Sequence, residues 1–453
     1  MKRFSISALR SLFLSSLVLT LCVFVLFYED VNVPLRIHDN LAAPRQLPLA
    51  SFNTGSARPM TERLDLQEKQ CRATFPKLFA DFDSVIGRSK FVLEKDSGDY
   101  KGLVQGRIKD NKLYILTTAP DITDQIIHQR TAVLSQLYRA LTTSPTSLPD
   151  TPFAFVVNDN PRNNSWAFAR PNKQSDYNVW LMPSFAFWSW PGATLGAFDD
   201  VLARINHVEG STSWEKKTDK VVWRGTPWFN PLGHPTLRQD LLKAARRMDW
   251  ADVEALNKSS DNDNALTIED FCRYKYIVYT EGVTYSGRLP YHQACESVLI
   301  TPPLTYLTHT AWVMRPILAN DLLNAFDRAR PLPKLRVDDS PPQPLLPTVR
   351  DWRAANAIYI SPKFSDLEEV VMFLRGHPEV ARRIARNQRE AAVKAGYLSG
   401  AAETCYWRAL VRTWASSTVA SNNWAGEEGE RFETWMLRQV TEPRGGAHGR
   451  DGG

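Results

Sequence analysis

Apolar residues fall along this chain in two rhythms. Short unbroken runs rich in β-branched and aromatic residues occur at 153–157 (FAFVV), 220–226 (KVVWRGT), 276–280 (YIVYT), 297–301 (SVLIT) and 357–361 (AIYIS). These predict buried strands. Elsewhere the apolar positions are three and four residues apart. Residues 130–142 put Val133, Leu134, Leu137 and Leu141 on one face, and 236–248, 365–376, 378–396 and 406–416 show the same helical spacing. Ser365, with Glu368 three residues on, predicts a capping box at the start of 365–376. Strand, loop, helix and strand follow one another over 276–301, which is the unit of a parallel α/β sheet.

The loop of that unit, 281–288 (EGVTYSGR), falls at the carboxyl end of a strand, where open α/β sheets bind ligands. It offers Gly282 and Gly287, hydroxyls on Thr284 and Ser286, and Arg288 at the expected helix start. Helix N-terminal N–H groups, small residues and a guanidinium together suit a phosphate. The same residues also suit an ordinary helix with Ser286 as its N-cap. A second strand–loop–helix runs from Arg224 and Gly225 through 227–235 to a helix with Arg238 in its first turn. A cation there opposes the helix macrodipole, which points either to an expected anion or to a solvated surface arginine. After the strand at 153–157, residues 158–161 (NDNP) form a turn. Asp159 in that turn is placed for chemistry at a strand end, and is equally ordinary turn composition. The uncharged aromatic stretch 180–192, with Trp188 and Trp190, reads as core packing or as a stacking surface for a sugar ring.

Residues 11–28 carry no charge, follow Lys2, Arg3 and Arg10, and precede Glu29 and Asp30. This predicts a transmembrane signal anchor with residues 1–10 cytosolic and the remainder across the membrane. A cleaved signal peptide is the competing reading. A proline-rich stem follows. The body of the chain, 43% hydrophobic and 23% charged with a net charge of +6, is that of a globular protein. Its basic residues are scattered among acids, which argues against a nucleic-acid partner. Four cysteines remain outside the anchor, Cys71, Cys272, Cys295 and Cys405, with no C-x-x-C spacing; two disulfides are expected rather than a metal site. Asn163 and Asn257 begin N-glycosylation sequons. Two Asp-x-Asp triplets, Asp81-Phe82-Asp83 and Asp261-Asn262-Asp263, occur among 49 acids and are at the level expected by chance.

The string WRG, a helix opening LR-x-D, then CRYKYIV, EGVTYSGR and ACESVLI, resembles glycosyltransferase family 90. That family includes the Rumi-type protein O-glucosyltransferases and the fungal capsule-associated xylosyltransferases. The resemblance extends from about residue 150 to residue 407 and takes in FVVNDNP, FWSWPG and the closing TCYW. The strong FWSWP element is similar to the fungal branch. The resemblance implies Asp159 as catalytic base. It implies Gly225, Thr226 and Arg238 as contacts of the UDP moiety, and Gly282, Val283, Thr284, Tyr285, Ser286 and Arg288 as the diphosphate loop. It also implies the disulfides Cys272–Cys295 and Cys71–Cys405. Animal members carry an arginine just after the RGS element; Pro227 and Trp228 stand here instead, which bears on nucleotide contacts and donor choice.

The expectation is therefore an α/β protein of GT-B type, with two facing Rossmann-like domains behind one transmembrane helix. Its segments are 1–10 cytosolic, 11–28 anchor, 29–64 stem, 65–212 acceptor-side domain, 213–388 UDP-sugar-binding domain, 389–440 C-terminal helices and 441–453 tail. The expected activity is inverting transfer of xylose or glucose from a UDP-sugar to a glycan or protein hydroxyl in the Golgi or endoplasmic reticulum. No metal or other cofactor is expected, and Trp188 and Trp190 are candidate walls of the cleft. The alternatives are an inactive lumenal glycan-binding module and a metal-dependent transferase using an acidic pair.

Overall fold

A computed structural model describes residues 58–83, 90–96, 100–119, 123–171, 178–191, 195–257, 264–327 and 345–441. The expected anchor, most of the stem, the tail, the Asp261–Asp263 triplet and part of the second sequon lie outside these residues. Among the described residues no helix is long and apolar enough to cross a membrane.

Two six-stranded sheets organise residues 58–441. The first contains β1 (Leu103–Lys109), β2 (Lys112–Thr118), β3 (Thr151–Val156), β4 (Ser165–Ala167) and β5 (Val179–Leu181), with the short strand Glu430–Arg431 returning to its edge. This sheet is mixed. Glu430–Arg431, β2, β1 and β3 pair antiparallel in that order, and β3, β4 and β5 continue in parallel. The hairpin β1–β2 turns on Asp110 and Asn111, both at positive φ (50° and 57°), the geometry that two-residue hairpin turns require.

The second sheet contains β6 (Thr218–Gly225), β7 (Ala251–Ala255), β8 (Tyr274–Val278), β9 (Val298–Thr301), β10 (Pro316–Leu318) and β11 (Ala357–Tyr359). Its spatial order is β7-β6-β8-β9-β11-β10 and every pairing is parallel. Successive residues serve opposite faces. Val222, Ile277 and Leu299 enter one core cluster, whereas Val221, Trp223, Tyr276, Val278, Val298 and Ile300 enter another. Both faces are covered, so the strands read as unbroken apolar runs rather than alternating ones.

The helices of interest are α1 (Glu68–Thr74), α2 (Asp124–Thr142), α3 (Phe198–Ser211), α4 (Leu237–Ala244), α5 (Leu289–Ala294), α6 (Leu367–Gly376), α7 (Pro378–Arg389) and α8 (Gly400–Ser417). The capping box expected at Ser365 is not formed. Asp366 is the N-cap of α6 without a side-chain cap bond. Its carboxylate instead accepts from the Ser361 N–H at 2.9 Å, closing a turn in which Phe364 sits at φ 57°. Helix α7 packs in the core of the second sheet, then runs into a single π turn, Glu390–Lys394. The chain there crosses over, and α8 lies in the core of the first sheet. Trp407 and Trp414 of α8 stand edge-on to Trp166 at 5.8 and 5.5 Å. The Cys71–Cys405 disulfide ties α1 to α8, and Cys272–Cys295 staples the start of β8 to the end of α5.

Candidate functional site

Strand β6 is followed by β7 on one side of it, yet β8 pairs on its other side. Open parallel sheets bind ligands at such a switch in strand order, beyond the carboxyl ends of the strands. The segments that leave those ends here are 225–237 and 279–288. The expected Gly225, Thr226, Arg238 and 282–288 thus come together.

Arg238 opens α4 and is buried. Its backbone N–H donates to Asn230 Oδ1 at 2.9 Å, while the Asn230 amide donates to the Pro227 carbonyl at 2.9 Å and to Gln239 at 3.1 Å. The guanidinium donates from Nη1 to the Thr226 carbonyl at 2.8 Å and from Nε to the Glu281 carbonyl at 3.2 Å. One arginine therefore fastens both loops. Burial, and secondly the charge of Arg288, hold its pKa down to about 10. Arg288 donates to the Arg224 carbonyl, and burial lowers its pKa as well. Among the described residues neither cation has a carboxylate partner. Two desolvated cations close enough for one to depress the other's pKa are a pair whose charge an anion would neutralise. Arg224, by contrast, is fully occupied: it binds Asp252 Oδ1 at 2.6 Å and the Asp252 and Asn264 carbonyls at 2.8 and 2.7 Å.

The loop after β8 is closed by Tyr279, whose hydroxyl accepts from the Ser286 N–H at 2.9 Å. Gly282 and Gly287, expected to leave room for a ligand, and Gly225, expected to contact the UDP moiety, are packed against protein. A Cβ on Gly225 would lie 2.7 Å from the Trp223 ring and 3.2 Å from Arg288 Nη2, and one on Gly287 would lie 2.7 Å from the Trp190 ring. A Cβ on Gly282 would be 3.0 Å from the Tyr285 carbonyl and 3.7 Å from Arg238 Nη2. The glycines thus let the arginines and Trp190 approach the backbone. Helix α5 starts at Leu289 with Arg288 as N-cap and no side-chain cap bond, so Ser286 does not cap it. Val283 is 38% exposed.

Thr284 and Tyr285 turn toward the first sheet. The Thr284 hydroxyl donates to Asp159 Oδ1 at 2.5 Å. Tyr285 packs on Phe168 at 6.1 Å, and its phenol pKa is raised by burial and then by the Asp159 charge. Asp159 stands exposed in the turn after β3. Its neighbours fix that turn: Asn158 Oδ1 accepts from the Asn160 N–H at 2.9 Å, and Tyr100 donates to the Asn160 carbonyl at 3.0 Å. An open cavity of about 420 Å³ adjoins it, lined by Asp159, Lys101, Thr123, Gln129, Phe168 and Tyr285 among others. The two tryptophans part company. Trp190 lies on Gly287 and against Phe185 at 5.0 Å, whereas Trp188 sits 4.8 Å beneath the Arg139 guanidinium.

Sequence reasoning passed over Glu281. Its buried carboxylate accepts from Thr305 Oγ1 at 2.6 Å and from the Thr305 and Tyr306 N–H groups at 3.0 and 2.9 Å. Burial pushes its pKa up to about 7 against these bonds, which favour the ionised form. Tyr306 and Leu307 pair with Pro171 and Arg170, so Glu281 links the loop to the first half of the molecule. An acid placed between a buried strand and Gly282 was the available signal. Asp81 is bound to Arg170 at 2.6 Å and Asp83 to Arg72 at 3.0 Å, so the first acidic triplet is engaged by cations.

Residues 67–318, more than half of the 453, match the model of glycosyl transferase family 90. An O-glucosyltransferase rumi homolog of Aedes aegypti is 24% identical over 255 residues, covering 53% of this chain and 54% of that protein. Protein O-glucosyltransferase 2 of Danio rerio is 24% identical over 422 residues, 86% of this chain and 72% of that protein. Protein O-glucosyltransferase 1 of Rattus norvegicus is 23% identical over 284 residues, 58% and 62% respectively. The matched region spans about half the length of the mosquito relative. With its parallel sheet, its switch-point arginines and this match, the chain belongs to glycosyl transferase family 90.

Proposed function

We infer that the chain transfers a sugar from a UDP-sugar to a hydroxyl of a glycan or protein, with inversion at the anomeric carbon. The observation that carries this is a pair of desolvated arginines at the sheet's switch point, buried Arg238 and half-buried Arg288, without carboxylate partners among the described residues and one loop away from Asp159. Asp159 accepts the acceptor hydroxyl's proton while that hydroxyl's oxygen, not the carboxylate, bonds to the anomeric carbon. The bond from that carbon to the diphosphate breaks, and UDP leaves with the charge. Arg238, Arg288 and the loop N–H groups stabilise that charge, and they act strongly because they are already oriented and partly dehydrated. Attack opposite the leaving group converts an α-linked donor into a β-linked product. One base-acting carboxylate fits such single displacement. Fixed cations on the diphosphate remove the need for a metal.

Xylose or glucose is the donor sugar we favour, the latter because the relatives carry that sugar in their names. The finer architecture we propose is GT-B: 65–212 as acceptor side, 213–388 as donor side, and the C-terminal helices crossing back. The proposed setting is the lumen of the Golgi or endoplasmic reticulum, with 11–28 as a type II anchor.

The test incubates the full chain and its Asp159→Asn variant with a panel of UDP-sugars, chelator present, and follows UDP release. Release from one donor by the wild type alone supports the reading and identifies the sugar. Equal release by Asp159→Asn removes Asp159 as base, and loss of activity on chelation restores the metal-dependent alternative. Absence of release with every donor and acceptor tried, despite UDP binding, leaves a binding module.

A further inference from the structure

Thr284 belongs by position to the anion-binding loop, two residues after Gly282 and four before Arg288. Its hydroxyl is nevertheless spent on the other half of the molecule, on Asp159 Oδ1 at 2.5 Å. The side chain is buried, while Asp159 is exposed. Among the described residues no other group donates to this carboxylate, and its Oδ2 accepts no hydrogen bond. The backbone of the Asp159 turn is held by Asn158 and Tyr100, but that leaves the carboxylate itself free to rotate. Thr284 is what orients it.

The loop that carries Thr284 is pinned on both sides. Tyr279 binds the Ser286 N–H at 2.9 Å, and Arg238 binds the Glu281 carbonyl at 3.2 Å. We propose that Thr284 is the positioning residue of Asp159, holding one carboxylate oxygen so that the other faces the incoming hydroxyl. The proposal rests on Asp159 being the base. Lys101 and Tyr285 are the other titratable groups lining the cavity beside Asp159.

The experiment compares wild type, Thr284→Val, Thr284→Ser and Asp159→Asn as full chains, measuring kcat, KM for the acceptor and the Kd for UDP. Valine keeps the shape and removes the donor. Thr284→Val is expected to lose about tenfold in kcat with KM nearly unchanged. Its UDP Kd stays within about threefold, since the charge-assisted phosphate contacts are untouched. Thr284→Ser, which keeps the hydroxyl, restores kcat to near the wild-type value. A wild-type kcat in a folded Thr284→Val overturns the proposal. So does a UDP Kd weakened in step with kcat, which makes Thr284 a donor ligand instead. Thr284→Ala, read by the same split of kcat from KM, decides the matter if the valine variant does not fold. An active Asp159→Asn overturns the base assignment itself, and that outcome is separate from the others.

Discussion

Replacing Arg238 by methionine removes a buried cation that has no carboxylate to neutralise it. Its pKa stands at about 10 against an ordinary 12.5, and that difference means the folded chain carries the charge at a cost of roughly 3 kcal/mol. The substitution relieves this cost and orphans two acceptors, the Thr226 and Glu281 carbonyls now bound at 2.8 and 3.2 Å. Each lost bond is worth about 1 kcal/mol, more where water cannot replace it. The two effects nearly cancel, so the variant is expected to melt within about 4 °C of wild type. Binding does not cancel. Nη2 makes no hydrogen bond with protein among the described residues, and a charge-assisted bond from it to a phosphate oxygen is worth about 1.5–3 kcal/mol. Kd for UDP should therefore rise about 10- to 150-fold. Thermal unfolding with and without UDP reads both quantities. At a UDP concentration of 100 Kd the wild type gains about 2.7 kcal/mol, and a variant with hundredfold weaker binding gains about 0.4. A variant that keeps the wild-type UDP shift refutes the assignment of Arg238 to the diphosphate. One that loses far more stability than this balance allows refutes the reasoning about its uncompensated charge.

Glu281 makes stability depend on pH in a stated direction. Its folded pKa of about 7 lies above the ordinary 4.5, so the folded state keeps a proton that the unfolded chain releases. Stability on this account is greatest below the lower value and declines by roughly 3 kcal/mol as pH rises through the upper one. Urea midpoints across that window should fall less steeply in Glu281→Gln, and parallel curves would refute the argument. Glu403, raised to about 7 by burial against Arg139, adds a decline of the same sign. The disulfides separate stability from binding. Cys71–Cys405 spans 334 residues and Cys272–Cys295 spans 23, which corresponds to roughly 6 and 3 kcal/mol of restricted unfolded chain. Serine at Cys71 should lower the urea midpoint more, whereas serine at Cys272 should weaken UDP binding more, because that bridge frames the anion loop. The reverse ranking in either measurement defeats this division.

The second sheet was legible in the sequence because its strands are covered on both faces and appear as unbroken apolar runs at 220–226, 276–280, 297–301 and 357–361. The loops at the switch point were legible for the same reason: each follows such a run directly. The first sheet was harder. β1 and β2 lack the unbroken apolar character that marked the others, and the hairpin they form was not read from the sequence. What local pattern could not supply was long-range contact. Gly287 is glycine because Trp190 covers it, and Thr284 reaches Asp159 across 125 positions of sequence. Ser286 and Ser365 had the composition of caps, yet neighbouring turns took over their places.

The crossover after α7 also bears on how the chain acquires its structure during synthesis. The first sheet receives its edge strand from Glu430–Arg431 and much of its core from α8. A ribosome that has made residues 58–212 has therefore made a sheet packed by α2 but lacking α8, its other core helix. That half must wait, with Trp166 and Cys71 lacking their partners, until nearly the whole polypeptide has emerged. The second sheet, complete by residue 389, is in a position to form first and to serve as the platform on which the earlier-made half is finished. Shortening the chain from its carboxyl end would accordingly damage the half that was made first, leaving the arginine site on a folded base while depriving Asp159 of its support.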